Sequence, residues 1–258
     1  MLRKKPSKIF ILLSAINKVK NWYVILLVHF GIYNKKFFIL KLKNGFKLKL
    51  RTKSTDVYAF THVWLLQEYY RYGFEIKDND VIIDVGAHIG LFALFSSQFC
   101  KNGRIYCFEP VKENFDLLKS NLELNDIENV IVANMAVSSS TGTVTIYLNE
   151  DEAGHSMHVP SQKQIQVESF SLQDIFDSYK LEKCDFLKID CEGEEYEIIN
   201  SLPTSYFDKI KKMCIEYHFV DTKPHLLENM IKKLKMLSYT IDTRKILPSI
   251  GFLYAKKG

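Results

Sequence analysis

From Asp80 onward the chain alternates between short, almost wholly apolar runs and longer runs with apolar residues three or four apart. "VIIDVG" (81–86), "RIYCFEP" (104–110), "VIVANMAV" (130–137), "CDFLKID" (184–190) and "KKMCIEYH" (211–218) are short and apolar throughout. They read as strands buried on both faces. Between and after them, "LFALFSSQFC", "KENFDLLKSNLELN", "EEYEIINSL" and the segment 224–237 have helical spacing. This succession predicts an α/β fold, Rossmann-like, with a mostly parallel, doubly wound sheet of about seven strands. "TVTIYLNEDEAGHSMHVP" and "QIQVESF" interrupt the alternation and read as short antiparallel strands around a polar loop. "YTIDT" and "GFLYAKK" close the chain as a terminal antiparallel hairpin.

Residues 1–75 follow a different pattern and form an accessory region before the main domain at 76–258. "KFFILKLKNGFKLKLRT" alternates apolar and polar positions around Asn44-Gly45, the signature of a hairpin with a type I′ turn. "DVYAFTHVWLLQEYYRYG" has helical spacing, with Gly73 as its stop. Ahead of these, two apolar runs flank "NKVKN", and neither reaches the ~18 residues of a membrane span. They predict a helical pair packed on the domain. The alternative is a basic, Trp-containing segment over 1–33 in peripheral contact with an anionic membrane surface.

Composition narrows the classes. With 258 residues, 47% hydrophobic and 25% charged, the chain can bury a large core and need not be disordered. The net charge of +5 is modest and its lysines read as scattered, which speaks against nucleic acid as a partner. The five cysteines form no C-x-x-C pair and read as reduced core residues of a cytoplasmic protein.

Ligands of open α/β sheets bind beyond the carboxyl ends of the strands. The first strand ends in "DVGAHIG", with Asp84 ahead of Gly86 and Gly90. Its G-x-x-x-G spacing differs from the dinucleotide fingerprint, and a carboxylate beside the turn is unsuited to pyrophosphate. The second strand ends in "FEP", placing Glu109 to accept both hydroxyls of a ribose. S-adenosyl-L-methionine, cationic and free of phosphate, suits this pair better than a nicotinamide dinucleotide does. The plainer alternative makes Asp84 and Glu109 cap or turn residues.

"VIIDVGAHIGLFALFSS", "IYCFEPVKENFDLLKSNLELN", "VANMAVSSSTGTVTIY" and "DFLKIDCEGEEYEII" occur in that order. Together they resemble the FkbM family of S-adenosylmethionine-dependent methyltransferases, mostly O-methyltransferases, over residues 81–218. The K-I-D-x-E-G-x-E run (Lys188, Ile189, Asp190, Glu192, Gly193, Glu195) is the most specific part. The resemblance implies the seven-strand methyltransferase fold and cofactor contacts at Asp84, Gly86, Gly90 and Glu109. Asn134 and Ala136 fall where such folds meet the adenine edge. Asn114 reaches the cofactor or is a solvated first-turn residue, and His88 shapes the glycine turn.

Asp190 is the first candidate for a base or acceptor-orienting group near the methyl donor; Lys188 is expected to pair with Asp190 or Glu192 and keep them ionised, and Lys188 and Glu192 to tune and hold Asp190. His218 is an alternative base, with Glu216 nearby. Glu194 and Glu197 are expected at a helix start, where the dipole favours them, and Glu195 stays undecided. His155 and His158, in the insertion loop, read as idle. Asp190, Glu192, Glu216 and His218 offer Mg²⁺ ligands in a spacing that matches no metal motif. No metal is therefore expected. The absence of an "NPPY"-like run after the fourth strand, together with the absent basic stripe, leans away from nucleic-acid bases. The expected acceptor is a hydroxyl of a small molecule or glycan. The rivals are a nicotinamide-dependent oxidoreductase and a non-catalytic cofactor-binding or membrane-interaction module.

Overall fold

The structure is a computed structural model that describes residues 7–148 and 156–258. His155 lies outside the described residues. The chain opens with two helices, α1 (Lys8–Lys18) and α2 (Tyr23–His29), and a hairpin of β1 (Phe37–Lys41) and β2 (Lys47–Arg51). Ser7 caps α1 by accepting a hydrogen bond from the Phe10 amide at 3.2 Å. The hairpin connection is longer than expected. Leu42 N–H donates to Phe46 O at 2.7 Å, so Lys43, Asn44 and Gly45 form a three-residue loop. Only Gly45 takes a left-handed φ (+101°), whereas a type I′ turn needs two such residues.

Helix α3 (Asp56–Phe60) runs into one π-helical turn (Thr61–Leu65), and Gln67 (φ +55°) ends the coil well before Gly73. Tertiary contacts override the helical spacing here. Tyr69 packs its ring edge-on against Phe252, and Glu68 pairs with Arg244.

The main sheet is built from β3 (Val81–Val85), β4 (Arg104–Phe108), β5 (Val130–Ala133), β9 (Phe186–Ile189), β10 (Lys212–Tyr217), β11 (Tyr239–Lys245) and β12 (Gly251–Lys257). Its order is β5-β4-β3-β9-β10-β12-β11. The pairs from β5 to β10 are parallel, while β12 runs antiparallel to both β10 and β11. The terminal hairpin and the seven strands match expectation. "VIVANMAV", however, divides into two strands. After β5, Asn134 donates to Glu109 O and Pro110 O, both at 2.9 Å, and the chain leaves the main sheet. Its continuation, β6 (Ala136–Ser138), pairs parallel with β8 (Lys163–Ser171), which pairs antiparallel with β7 (Gly142–Leu148). The insertion is therefore a three-stranded sheet.

Helices α4 (Leu91–Ser97) and α5 (Lys112–Glu123) follow β3 and β4. α6 (Leu172–Ser178) follows β8, α7 (Glu195–Ser201) and the short α8 (Thr204–Phe207) follow β9, and α9 (Pro224–Met236) follows β10. Strand alternation sends Phe186 to one face of the sheet and Leu187 and Ile189 to the other. On the first face, Ile82, Phe92 and Phe186 share one core with Phe38, Leu40, Leu48, Leu50 and Trp64 of the accessory region. Each such aliphatic side chain taken from water contributes ~1.5–3 kcal/mol. That packing joins residues 38–64 to the main sheet in a single core. The five cysteines are free thiols, four of them buried. No helix among the described residues is long and apolar enough to cross a membrane.

Candidate active site

A cleft opens beyond the carboxyl ends of β3, β4, β9 and β10. Its floor depends on Gly86, which has φ +72°, and a Cβ there would lie 1.8 Å from Asp190 O. Only glycine lets the ends of β3 and β9 approach so closely. Gly90 instead begins α4, where a Cβ would meet Leu118 Cγ at 3.0 Å, and it does not line the cleft.

Asp84 and Lys188 are register partners on the adjacent strands β3 and β9. Lys188 Nζ lies 3.0 Å from Asp84 Oδ1 and 3.8 Å from Asp190 Oδ2, and donates to Gly86 O at 2.6 Å. The chief partner of Lys188 is thus Asp84, not Asp190 or Glu192. Burial raises the Asp84 pKa and Lys188 opposes that rise. Asp84 is fully buried below the floor, outside the cleft lining, so it meets a ligand only through Lys188.

Glu109 lines the cleft at the end of β4. Its Oε2 accepts from the His88 amide at 2.8 Å, and its Oε1 from the Val111 amide at 3.0 Å and Asn114 Nδ2 at 3.3 Å. Burial lifts its pKa to about 7 against these donors. Asn114 also lines the cleft and accepts from Arg51 at 2.9 Å. His88 (φ +50°) contacts the same arginine, NH2 to Nε2, at 2.9 Å. Burial lowers His88 to about 4, so the ring is neutral and its Nε2 accepts from Arg51. Arg51 in turn is held by the buried Asp56 at 2.7 Å. The hairpin thereby braces the glycine turn, a role the sequence left unmarked. Asn134 points away from the cleft to hold the 109–110 carbonyls, while Ala136 lines it.

Asp190 emerges just past β9, its side chain 28% exposed. Tyr69, from the accessory region, places its hydroxyl 2.9 Å from Asp190 Oδ2 and 2.8 Å from Glu216 Oε2. The Tyr69 hydroxyl donates toward both carboxyls. Burial, followed by the charge of Asp190, pushes Glu216 up to about 8, which favours its neutral form at neutral pH. Nothing in "QEYYRYG" marks Tyr69 for this position. His62, also unmarked, lines the same cleft and is lowered to about 4 by burial.

His218 belongs to a different arrangement. Its ring Nδ1 lies 3.2 Å from Glu195 Oε1 and its Nε2 3.5 Å from Glu192 Oε2. Burial alone would lower its pKa, but Glu195 and then Glu192 outweigh it and raise it to about 10. A protonated imidazole has no lone pair to take a proton, and His218 does not line the cleft. It is corrected from alternative base to cationic bracket. Asp190, Glu192 and His218 do bring ligand atoms within 4.8 Å of one another.

The acids at the start of the following helix gain partners: Glu194 is the N-cap of α7, as expected. Glu195 is fully buried and accepts from the Gly193 and His218 amides at 2.8 and 2.7 Å. Glu194 accepts from Ser138 at 2.6 Å and pairs with His158 at 2.8 Å. His158 is therefore engaged, clasping the insertion to α7. Glu197 sits in the first turn of α7, as expected.

Among the described residues, the lining holds four acids (Glu109, Asp190, Glu192, Glu216) and one cation, Lys188, already engaged. A pyrophosphate would meet net repulsion here. Phe108, Val111, Ala136 and Val137 form an apolar wall beside Glu109. A cationic, phosphate-free nucleoside fits both features, and S-adenosylmethionine has that chemistry.

Fold and cleft define a class I methyltransferase. Residues 84–253 match the Methyltransferase FkbM domain, and the chain belongs to that family of S-adenosylmethionine-dependent methyltransferases. Methyltransferase sdnD of Sordaria araneosa is 28% identical over 174 residues, 55% of this chain and 67% of sdnD. Hexuronic acid methyltransferase AglP of Haloferax volcanii is 26% identical over 144 residues, 56% of this chain and 58% of AglP. The match with AglP thus spans less than two thirds of that relative's length. The crystal structure of a methyltransferase FkbM from Methylobacillus flagellatus overlays with a TM-score of 0.51 at 17% identity. It covers 95% of this chain and 58% of that one, a likeness of fold.

Proposed function

We propose that this methyltransferase modifies a hydroxyl group, and that a sugar or glycan is its acceptor. The observation that carries the reading is the Tyr69–Asp190–Glu216 chain at the end of β9. The bound cofactor supplies a methyl group on a cationic sulfur. Asp190 accepts the proton of the attacking hydroxyl. Tyr69 occupies Asp190 Oδ2 and leaves Oδ1 for the acceptor. Glu216, protonated at neutral pH, adds no second negative charge beside Asp190. Lys188 Nζ lies 3.8 Å from Asp190 Oδ2 and sets a cation beside that carboxylate. Glu109, with one lone pair left on Oε2, would hold a ribose hydroxyl of the cofactor, and Gly86 would give it close access to backbone.

A hydroxyl-rich acceptor suits a mouth of carboxylates, each able to accept from sugar hydroxyls. The relative described as a hexuronic acid methyltransferase lends support. The test is methyl transfer from labelled S-adenosylmethionine to a panel of monosaccharides, uronic acids and phenols, with product linkage read by NMR. Methyl ethers on sugars are expected. Products methylated only on nitrogen or carbon would overturn the reading.

A further inference from the structure

The positive charge of this chain is not scattered. Residues 1–55 hold fourteen of its 35 lysines and arginines and none of its 30 acids. The remainder therefore carries 21 cations against 30 anions. The same region exposes large apolar side chains. Ile9 is 71% exposed, Leu13 60%, Phe30 69% and Ile32 62%. Phe10 adds 55%. A groove between α1 and α2 is lined by apolar side chains such as Ile11, Trp22 and Ile25, and carries Lys8 and Lys53 on the same lining. Lys20, Lys35 and Lys36 are exposed as well.

We infer that the face formed by α1, α2 and the segment leading to β1 docks on an anionic lipid bilayer. Exposed apolar side chains with lysines around them satisfy the two requirements of an interfacial segment: apolar area to insert and cations for the headgroups. Since no described helix is long enough to span, this face lies on the bilayer. A second copy presenting the same face would set two strongly cationic surfaces against each other. Nucleic acid would use the lysines but leave Ile9, Phe10, Leu13 and Phe30 in water.

The placement has a consequence for access. The segment Asp56–Leu65 separates the two cavities. Val57, Thr61 and Leu65 line the groove, and Tyr58, His62 and Val63 line the active-site cleft. Docking would hold the cleft about one helix diameter, ~10 Å, from the lipid face. The inference is independent of which atom is methylated.

Cosedimentation of the full chain with phosphatidylcholine vesicles, with and without phosphatidylglycerol, tests it. Binding to the anionic vesicles is expected to exceed binding to neutral ones by at least about tenfold and to fall with salt. The pair Lys8→Glu, Lys53→Glu, and separately the set Phe10→Ser, Leu13→Ser, Phe30→Ser, should each reduce it by about tenfold or more. Calorimetric binding of S-adenosylmethionine and an unchanged melting temperature would show that the variants are folded. Equal binding to neutral vesicles overturns the inference, as does wild-type binding by folded variants. So do self-association through this face, or binding of an RNA oligonucleotide with no binding of vesicles.

Discussion

The hydroxyl of Tyr69 lies 2.9 Å from Oδ2 of Asp190, although 121 residues separate the two in the chain. Tyr69 is held in place by Phe92 and Phe252 rather than by helical structure. A hydrogen bond to a charged group contributes ~1.5–3 kcal/mol. Tyr69→Phe should therefore lower kcat by roughly ten- to a hundredfold. Calorimetric affinity for S-adenosylmethionine should change little. A loss of stability with unchanged kcat would reduce Tyr69 to a packing residue.

Asp190→Asn keeps the shape of the side chain and removes its basicity. Methyl transfer should fall by about 10²–10⁴-fold, the usual contribution of a positioned base. S-adenosylmethionine affinity, measured by calorimetry, should stay within a few-fold. Near-wild-type turnover would move the base elsewhere in the cleft.

Lys188 and Asp84 are 3% and 0% exposed and lie 3.0 Å apart. Removing one partner of a buried pair strands the other charge, at a cost of ~3–5 kcal/mol. Lys188→Met should unfold in correspondingly less urea. The double variant Lys188→Met, Asp84→Leu should regain most of that stability, yet not the activity, since Asp190 then loses the ammonium 3.8 Å from its Oδ2. If the double variant is no more stable than the single, the pair is not the source of the loss.

Stability should fall in alkali. His218 is raised to about 10 in the folded protein from about 6.5 unfolded. A raised folded pKa stabilises fully below the unfolded value, and the benefit is lost as pH rises through the folded value. Glu216, raised to about 8, acts with the same sign, its benefit lost as pH rises through that value. Melting temperature should thus decline between about pH 4.5 and 10. His218→Gln should flatten the upper part of that decline and Glu216→Gln the lower. Variants that keep the wild-type slope would assign the decline to other groups.

Much of the architecture was legible before folding. Apolar runs such as "VIIDV" and "DFLKI" have one stable home, a strand covered on both faces, and helical spacing between them dictates parallel crossovers. The chemistry of the cleft was legible in outline, because glycines and acids at strand ends point to the same edge of a parallel sheet. "DFLKIDCEGEEYEII" was harder to divide. Its acids look alike in sequence, but Asp190 and Glu192 line the cleft, Glu194 clasps the insertion and Glu195 braces His218.

By itself, then, the sequence determined strand and helix order, the family signature and the edge of the sheet where a ligand binds, because periodicity and strand-end position are local properties. Only the tertiary structure decided the partners. Lys188 turned to Asp84 because register sets those two side by side on β9 and β3. His218 became a cation because carboxylates from "CEGEE" surround it, and Tyr69 entered the site because the accessory region packs on the sheet's carboxyl edge. Partner choice and protonation depend on distances between residues far apart in the chain, and those distances exist only after the two layers close on the sheet.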